Sequence, residues 1–147
     1  MAVSKMTVAT EYLNRAIELY FRGDSDFSAL HLAGAAQELL GKFVGRAGRQ
    51  SAHSQLVDGA LRIANVLPPT GKPATEKGIK GVISFAKNRV KHMDETGDDM
   101  IEYDVRKAAA DMLDIAIAEF YELFDSGAEI SISPEIERYN HHKAASA

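Results

Sequence analysis

The sequence predicts an all-α fold, an up-and-down bundle of about five helices, on three observations. Apolar residues recur at spacings of three and four over stretches of several turns. Gly- and Pro-bearing breaks separate those stretches, and the first breaks are short enough to force antiparallel neighbours. A single core suffices for 147 residues of which 46% are apolar and 26% charged, so one domain is expected over 1–147.

Taken in order, Met6, Ala9, Leu13, Ala16, Ile17 and Tyr20 mark a first amphipathic helix over Lys5 to Arg22, with Glu11, Asn14, Arg15 and Glu18 outward. Gly23 ends it. Asp24, Ser25 and Asp26 offer side-chain oxygens to cap a second helix over Phe27 to Val44. That helix is small on more than one face, through Ala29, Ala33, Gly34, Ala35 and Ala36. Glycine costs about 1 kcal/mol inside a helix, so Gly34 is expected to admit another backbone at close range and the helix to be the centre of the bundle. His31 and Glu38, about two turns apart, are expected to be hydrogen-bonded core residues.

Gly45, Gly48 and the Arg-rich run to Gln50 form a loop. A third helix follows over Gln55 to Leu67, carried by Leu56, Val57, Ala60, Leu61 and Ala64 and stopped by Pro68 and Pro69. A turn-rich connection over Thr70 to Pro73 leads to a fourth helix over Ala74 to Met93, with Ile79, Val82, Ile83, Ala86, Val90 and Met93 turned to the core. After a polar break at Asp94 to Asp98, Asp98 or Asp99 caps a long fifth helix that reaches Asp125 and lies across the bundle. Ile130 to Ile132 alternates as a brief extended segment. Pro134 opens a short helix through Tyr139, and the tail from about Asn140 is expected to be flexible.

The absence of Cys removes disulfides, thiolate nucleophiles and Cys-based zinc sites, and is compatible with a cytoplasmic location. No apolar run has the length of a signal peptide core or a membrane span, so no membrane association is expected. The net charge of −4 conceals a division. Between Lys42 and His92 ten cations face only Asp58 and Glu76, while the rest of the chain is acidic. Such a field concentrates an anionic ligand on the middle of the chain.

The densest chemistry is Lys87-Asn88-Arg89-Val90-Lys91-His92. On a helix Lys87 stacks over Lys91 and Asn88 over His92, giving two adjacent polar columns. Lysine and asparagine can hold phosphate oxygens, and a histidine can move a proton to or from a ribose hydroxyl. Cations in a last turn are also favoured by the helix dipole alone, so the same cluster can be a plain solvated end. Other chemistries are excluded: there is no Glu-x-x-His pair for a di-iron bundle, no P-loop, no dinucleotide fingerprint and no nucleophile elbow. His31, His53 and His92 lack metal-site spacing, and His141-His142 is an incidental pair on the tail, so neither metal nor cofactor is expected.

The helical hairpin, the segment Ala29 to Lys42, the segment Lys87 to His92 and the long closing helix together resemble the HEPN superfamily, in its small bacterial members, over about residues 8–125. The family motif is an Arg, usually followed by a polar residue, with a His four to six residues on. Asn88 and His92 match it, and Lys87 stands where the Arg would be. The resemblance implies a homodimer that cuts RNA without metal in a toxin or defence role. His92 would then be the proton-transfer group, Asn88 would orient phosphate or imidazole, and Lys87 would supply charge. Lys91 and Arg89 would add phosphate contacts. Lysine lacks the bidentate fork of arginine, and Arg89, with only two residues between it and His92 and on another face, does not restore it.

Three functions follow: a metal-independent endoribonuclease with an antitoxin or other protein partner; a non-catalytic HEPN module that binds nucleotide, RNA or protein; or a dimerising helical scaffold. Catalysis requires Lys87, Asn88 and His92 in one cleft at a two-fold interface. Binding requires an open basic surface, and a scaffold requires salt bridges from the cluster to the acidic fifth helix.

Overall fold

A computed structural model describes residues 1–66, 73–94, 96 and 99–147 of the chain. Among these residues six helices and no strands are present: α1 Lys5–Arg22, α2 Asp26–Arg46, α3 Ala52–Val66, α4 Glu76–Arg89, α5 Val105–Asp125 and α6 Pro134–Ala145. The segment around Ile130 to Ile132 is irregular rather than a strand. The expected stop at Pro68 and Pro69 lies outside the described residues. None of the described helices is long and apolar enough to cross a membrane.

The core lies where α1, α2 and α5 meet. Leu13 and Ile17 from α1, Leu30 and Leu40 from α2, and Leu113 and Phe120 from α5 are among its buried side chains. Ala29, Ala33 and Ala36 are fully buried on α2 and let α1 and α5 pack closely on either side of it. The small-residue pattern thus does put α2 at the centre. Gly23, at φ 73°, turns the chain between α1 and α2 in a conformation that other residues strain to adopt.

The caps differ from expectation. Ser25 is the N-cap residue of α2 but its side chain makes no capping bond. Asp24 pairs instead with Arg22, and Asp26 with Arg106 of α5. Arg106 also lies over the Tyr20 ring at 4.3 Å, tying the start of α5 to the α1–α2 corner. The fifth helix begins at Val105, capped by Asp104, which accepts from the Lys107 N–H at 2.9 Å. Asp99 therefore precedes the helix by several residues, and Asp98 lies outside the described residues. The last helix runs on to Ala145 because Ile136 and Tyr139 are buried against the core, with the Tyr139 hydroxyl 2.9 Å from an Asp114 carboxylate oxygen.

The pair α3 and α4 packs more lightly. From these two helices only Ala52, Val57 and the lysine Lys87 are buried. Val82 and Met93, expected in the core, are exposed.

Candidate functional site

The fourth helix stops at Arg89, four residues short of the expected end, so Lys91, His92 and Met93 follow it rather than belong to it. The amides of Lys91 and His92 both bond to the Asn88 carbonyl, a tightened turn that ends the helix. The Tyr103 hydroxyl donates to the Ala86 carbonyl at 2.7 Å and occupies one of the last-turn acceptors. Arg89 donates to the Met100 carbonyl at 2.9 Å.

This end of α4 divides the basic segment. Lys87 turns inward and is 6% exposed. Its ammonium donates to Gln37 Oε1 at 3.0 Å and pairs with Glu38 Oε1 at 2.9 Å, both on α2. Lys91 reaches the same Glu38 oxygen at 3.3 Å. Burial raises the pKa of Glu38, but the hydrogen bond and charge of Lys87, with those of Lys91, outweigh it and hold the carboxyl below its ordinary value. Asn88 and His92 stay exposed. The cluster therefore pairs with α2 rather than with the acidic fifth helix.

Behind Lys87 lies a polar cavity of about 450 Å3 between α2, α3 and α4, lined by Gln37, Glu38, Lys42, His53, Ser84 and Lys87 among others. Its wall is fixed by Glu119 of α5. This fully buried carboxylate accepts from the Ala52 N–H at 2.9 Å and the His53 N–H at 3.0 Å, satisfying the first turn of α3. Gly41 leaves room for it, since a Cβ there would stand 3.3 Å from Glu119 Oε1. Burial pushes the pKa of His53 below its ordinary value, and the charges of Lys87 and Lys80 push the same way. Asn88 and His92 are not among the residues that line this cavity.

A second, wider cleft of about 650 Å3 opens at the same end of α4, with Phe27, Ser28 and His31 of α2 facing Arg89, Val90 and Met93. His31 and Glu38 are thus both exposed positions rather than core residues. Arg89 lines this cleft with His31, whereas Lys87 lines the polar cavity.

A third depression, of about 370 Å3, is apolar: Leu56 and Ala60 of α3, Val82 and Ile83 of α4 and Met112 and Ile115 of α5 line it. Of these Leu56 is 48% exposed and Val82 78%, and one turn on from Ala60 and Val82 the side chains of Ile63 and Phe85 are 63% and 52% exposed. Of the apolar series expected on α3, Val57 is buried, Ala60, Leu61 and Ala64 are half-buried and Leu56 is exposed, and Leu56, Ala60 and Ile63, at intervals of four and three, mark a second, outward apolar edge.

Comparison of the chain with protein-family models, curated proteins and solved structures finds no match.

Gln37, His53, Ser84 and Glu119 had no signal of their own in the sequence. Glu119 sits in the apolar run Ile115 to Phe120 on the buried side of α5, which is the one clue that its carboxylate faces inward. His53 precedes the apolar series of α3 and reads as loop until Glu119 extends the helix back to Ala52.

Proposed function

We propose that the protein is a homodimerising helical module, HEPN-like in organisation, whose two copies meet through the outer face of α3 and α4. The exposed apolar stripe of Leu56, Ile63, Val82 and Phe85 around the α3–α4–α5 depression carries this reading. Together with Val66, 85% exposed, these side chains present on the order of 500 Å2 of apolar surface, within the size range of the largest patches on monomers. That is much of the roughly 800 Å2 per partner that a standard interface buries.

A second copy fits the face better than a partner of one charge. Asp58 and Arg62 on α3, Glu76, Lys77 and Lys80 on α4 and Asp111 on α5 put both signs on these helices, so a two-fold pairing need not set like charges opposite one another. An apolar stripe is also complementary to itself. Hydrogen exchange tests the interface: amides of α3 and α4 gain protection as protein concentration rises, while those of α1 do not. Protection independent of concentration argues against the pairing.

A metal-independent endoribonuclease is a second reading, favoured by the exposure of Asn88 and His92 at the open end of α4, where a polynucleotide can reach both. In it His92 moves the proton and Asn88 orients the phosphate. Lys87 takes part only by leaving Glu38 and Gln37, so the charge falls to other cations of this end, Arg89 and Lys91.

A further inference from the structure

Among the described residues, His53 Nε2 is a buried side-chain polar atom with no hydrogen-bond partner in the protein. Native structures leave few such atoms, because burying one without compensation costs stability. His53 lines the polar cavity of about 450 Å3. Lys87 lines it too, and of its three ammonium protons Gln37 and Glu38 engage two. Ser84 brings a hydroxyl to the same space from the preceding turn of α4. His53 of α3 and Ser84 and Lys87 of α4 thus line one space, and the first of them carries the unpartnered, covered Nε2.

The surrounding charge is cationic. Lys42 and Lys87 line the cavity, and Lys80 lies close enough to act on His53. The carboxylate that lines it, Glu38, is offset by Lys87 and Lys91 together. Glu119 spends both oxygens on the backbone of α3.

We propose that this cavity binds a small metabolite through a phosphate group, with Lys87, Ser84 and His53 donating to its oxygens. Neutral imidazole carries its proton on either nitrogen, so Nε2 can serve as donor. Three donors on different side chains suit a tetrahedral oxyanion better than a planar carboxylate, which is matched by a two-pronged fork. The volume exceeds what a phosphate group fills, which leaves space beside Lys42 for an organic part. The site lies on the inner side of α3 and α4 and is independent of the apolar outer face.

The test is titration of the full chain with inorganic phosphate, adenosine monophosphate and adenosine, read by the imidazole nitrogen resonances of His53 and by calorimetry. A saturable change at His53 with either phosphate probe, none with adenosine, and affinity at least tenfold weaker in Ser84→Ala and His53→Phe are expected. Tighter binding of the nucleotide than of phosphate identifies an ester as the ligand; equal binding identifies the free anion. Absence of a saturable change at millimolar probe overturns the site, as does unaltered affinity in both variants. A higher melting temperature of His53→Phe, with no binding by the wild type, shows an uncompensated polar atom and overturns it as well.

Discussion

The aliphatic stem of Lys87 lies across Gly34: a Cβ at residue 34 would stand 3.1 Å from both Cβ and Cδ of Lys87. Gly34 therefore admits a side chain, not the second backbone that its place in a helix suggests. The close approach lets a lysine from α4 be buried against α2 with its ammonium delivered to Gln37 and Glu38. The same contact decides that the first residue of the basic segment faces inward.

Alanine substitutions separate this glycine from its neighbours. Crowding in a packed site costs about 1–3 kcal/mol, against which the helix gains up to about 1 kcal/mol in propensity. Gly34→Ala is expected to lose on the order of 1 kcal/mol by urea denaturation, the difference between those two terms. Gly45→Ala, with nothing within 4 Å of its Cβ, is expected to be neutral or to gain up to about 1 kcal/mol.

Acid acts on the contacts between α2, α3 and α4 through two groups. The folded pKa of Glu38 lies below its ordinary 4.5, so its ion pairs contribute fully above that pH and are lost as the pH falls through the lower folded value. His53 is also held below its ordinary 6.5, so the unfolded chain takes up a proton there first and stability declines as pH drops below 6.5. Chemical denaturation from pH 8 to 3 should show two declines. Glu38→Gln reduces the lower one, to which the Arg22-paired Asp24 also contributes, and His53→Phe removes the upper.

Glu119 governs the start of α3. Hydrogen bonds to a charged group contribute about 1.5–3 kcal/mol, and Glu119→Ala breaks two of them in a buried site. A loss of about 3 kcal/mol or more is expected. Glu119→Gln keeps one acceptor oxygen and sets an NH2 against an N–H. Exchange of the Ala52 and His53 amides is expected to speed up by about tenfold or more in that variant, since a tenfold change needs only about 1.4 kcal/mol.

The nuclease reading has its own outcome. Under it, wild-type protein cuts a mixed RNA pool in excess EDTA and leaves cyclic phosphate ends, and His92→Ala abolishes the cutting. Lys87→Met is then expected to act through stability rather than through the chemical step, because Lys87 is buried on Glu38 and Gln37. RNA left intact by folded wild-type protein removes this reading.

Much of the fold was legible because it rests on local signals. The three-and-four spacing gave α1 its observed bounds, and the small residues of α2 marked the centre of the bundle. Where contacts between distant residues decide, the sequence was silent. The starts of α3 and α5 depend on a Glu119 carboxylate 67 positions from Ala52 and on which of several aspartates caps. The end of α4 depends on Tyr103 and on a turn closed at Asn88. Periodicity shows that α3 and α4 have an apolar stripe, but it cannot tell a stripe that faces the core from one that faces outward. The basic segment was visible as composition. Its division, with Lys87 inside and Asn88 and His92 outside, follows from Gly34, fifty-three positions away.

Sedimentation equilibrium of wild-type protein and Val82→Lys over a wide concentration range tests the α3–α4 interface most directly. Val82 is 78% exposed, so the substitution leaves the fold intact. The wild type is expected at twice the chain mass of 16.0 kDa and Val82→Lys at 16.0 kDa, with matching helical content. A wild type that stays monomeric throughout, or a Val82→Lys variant that dimerises as tightly as the wild type, contradicts pairing through this face.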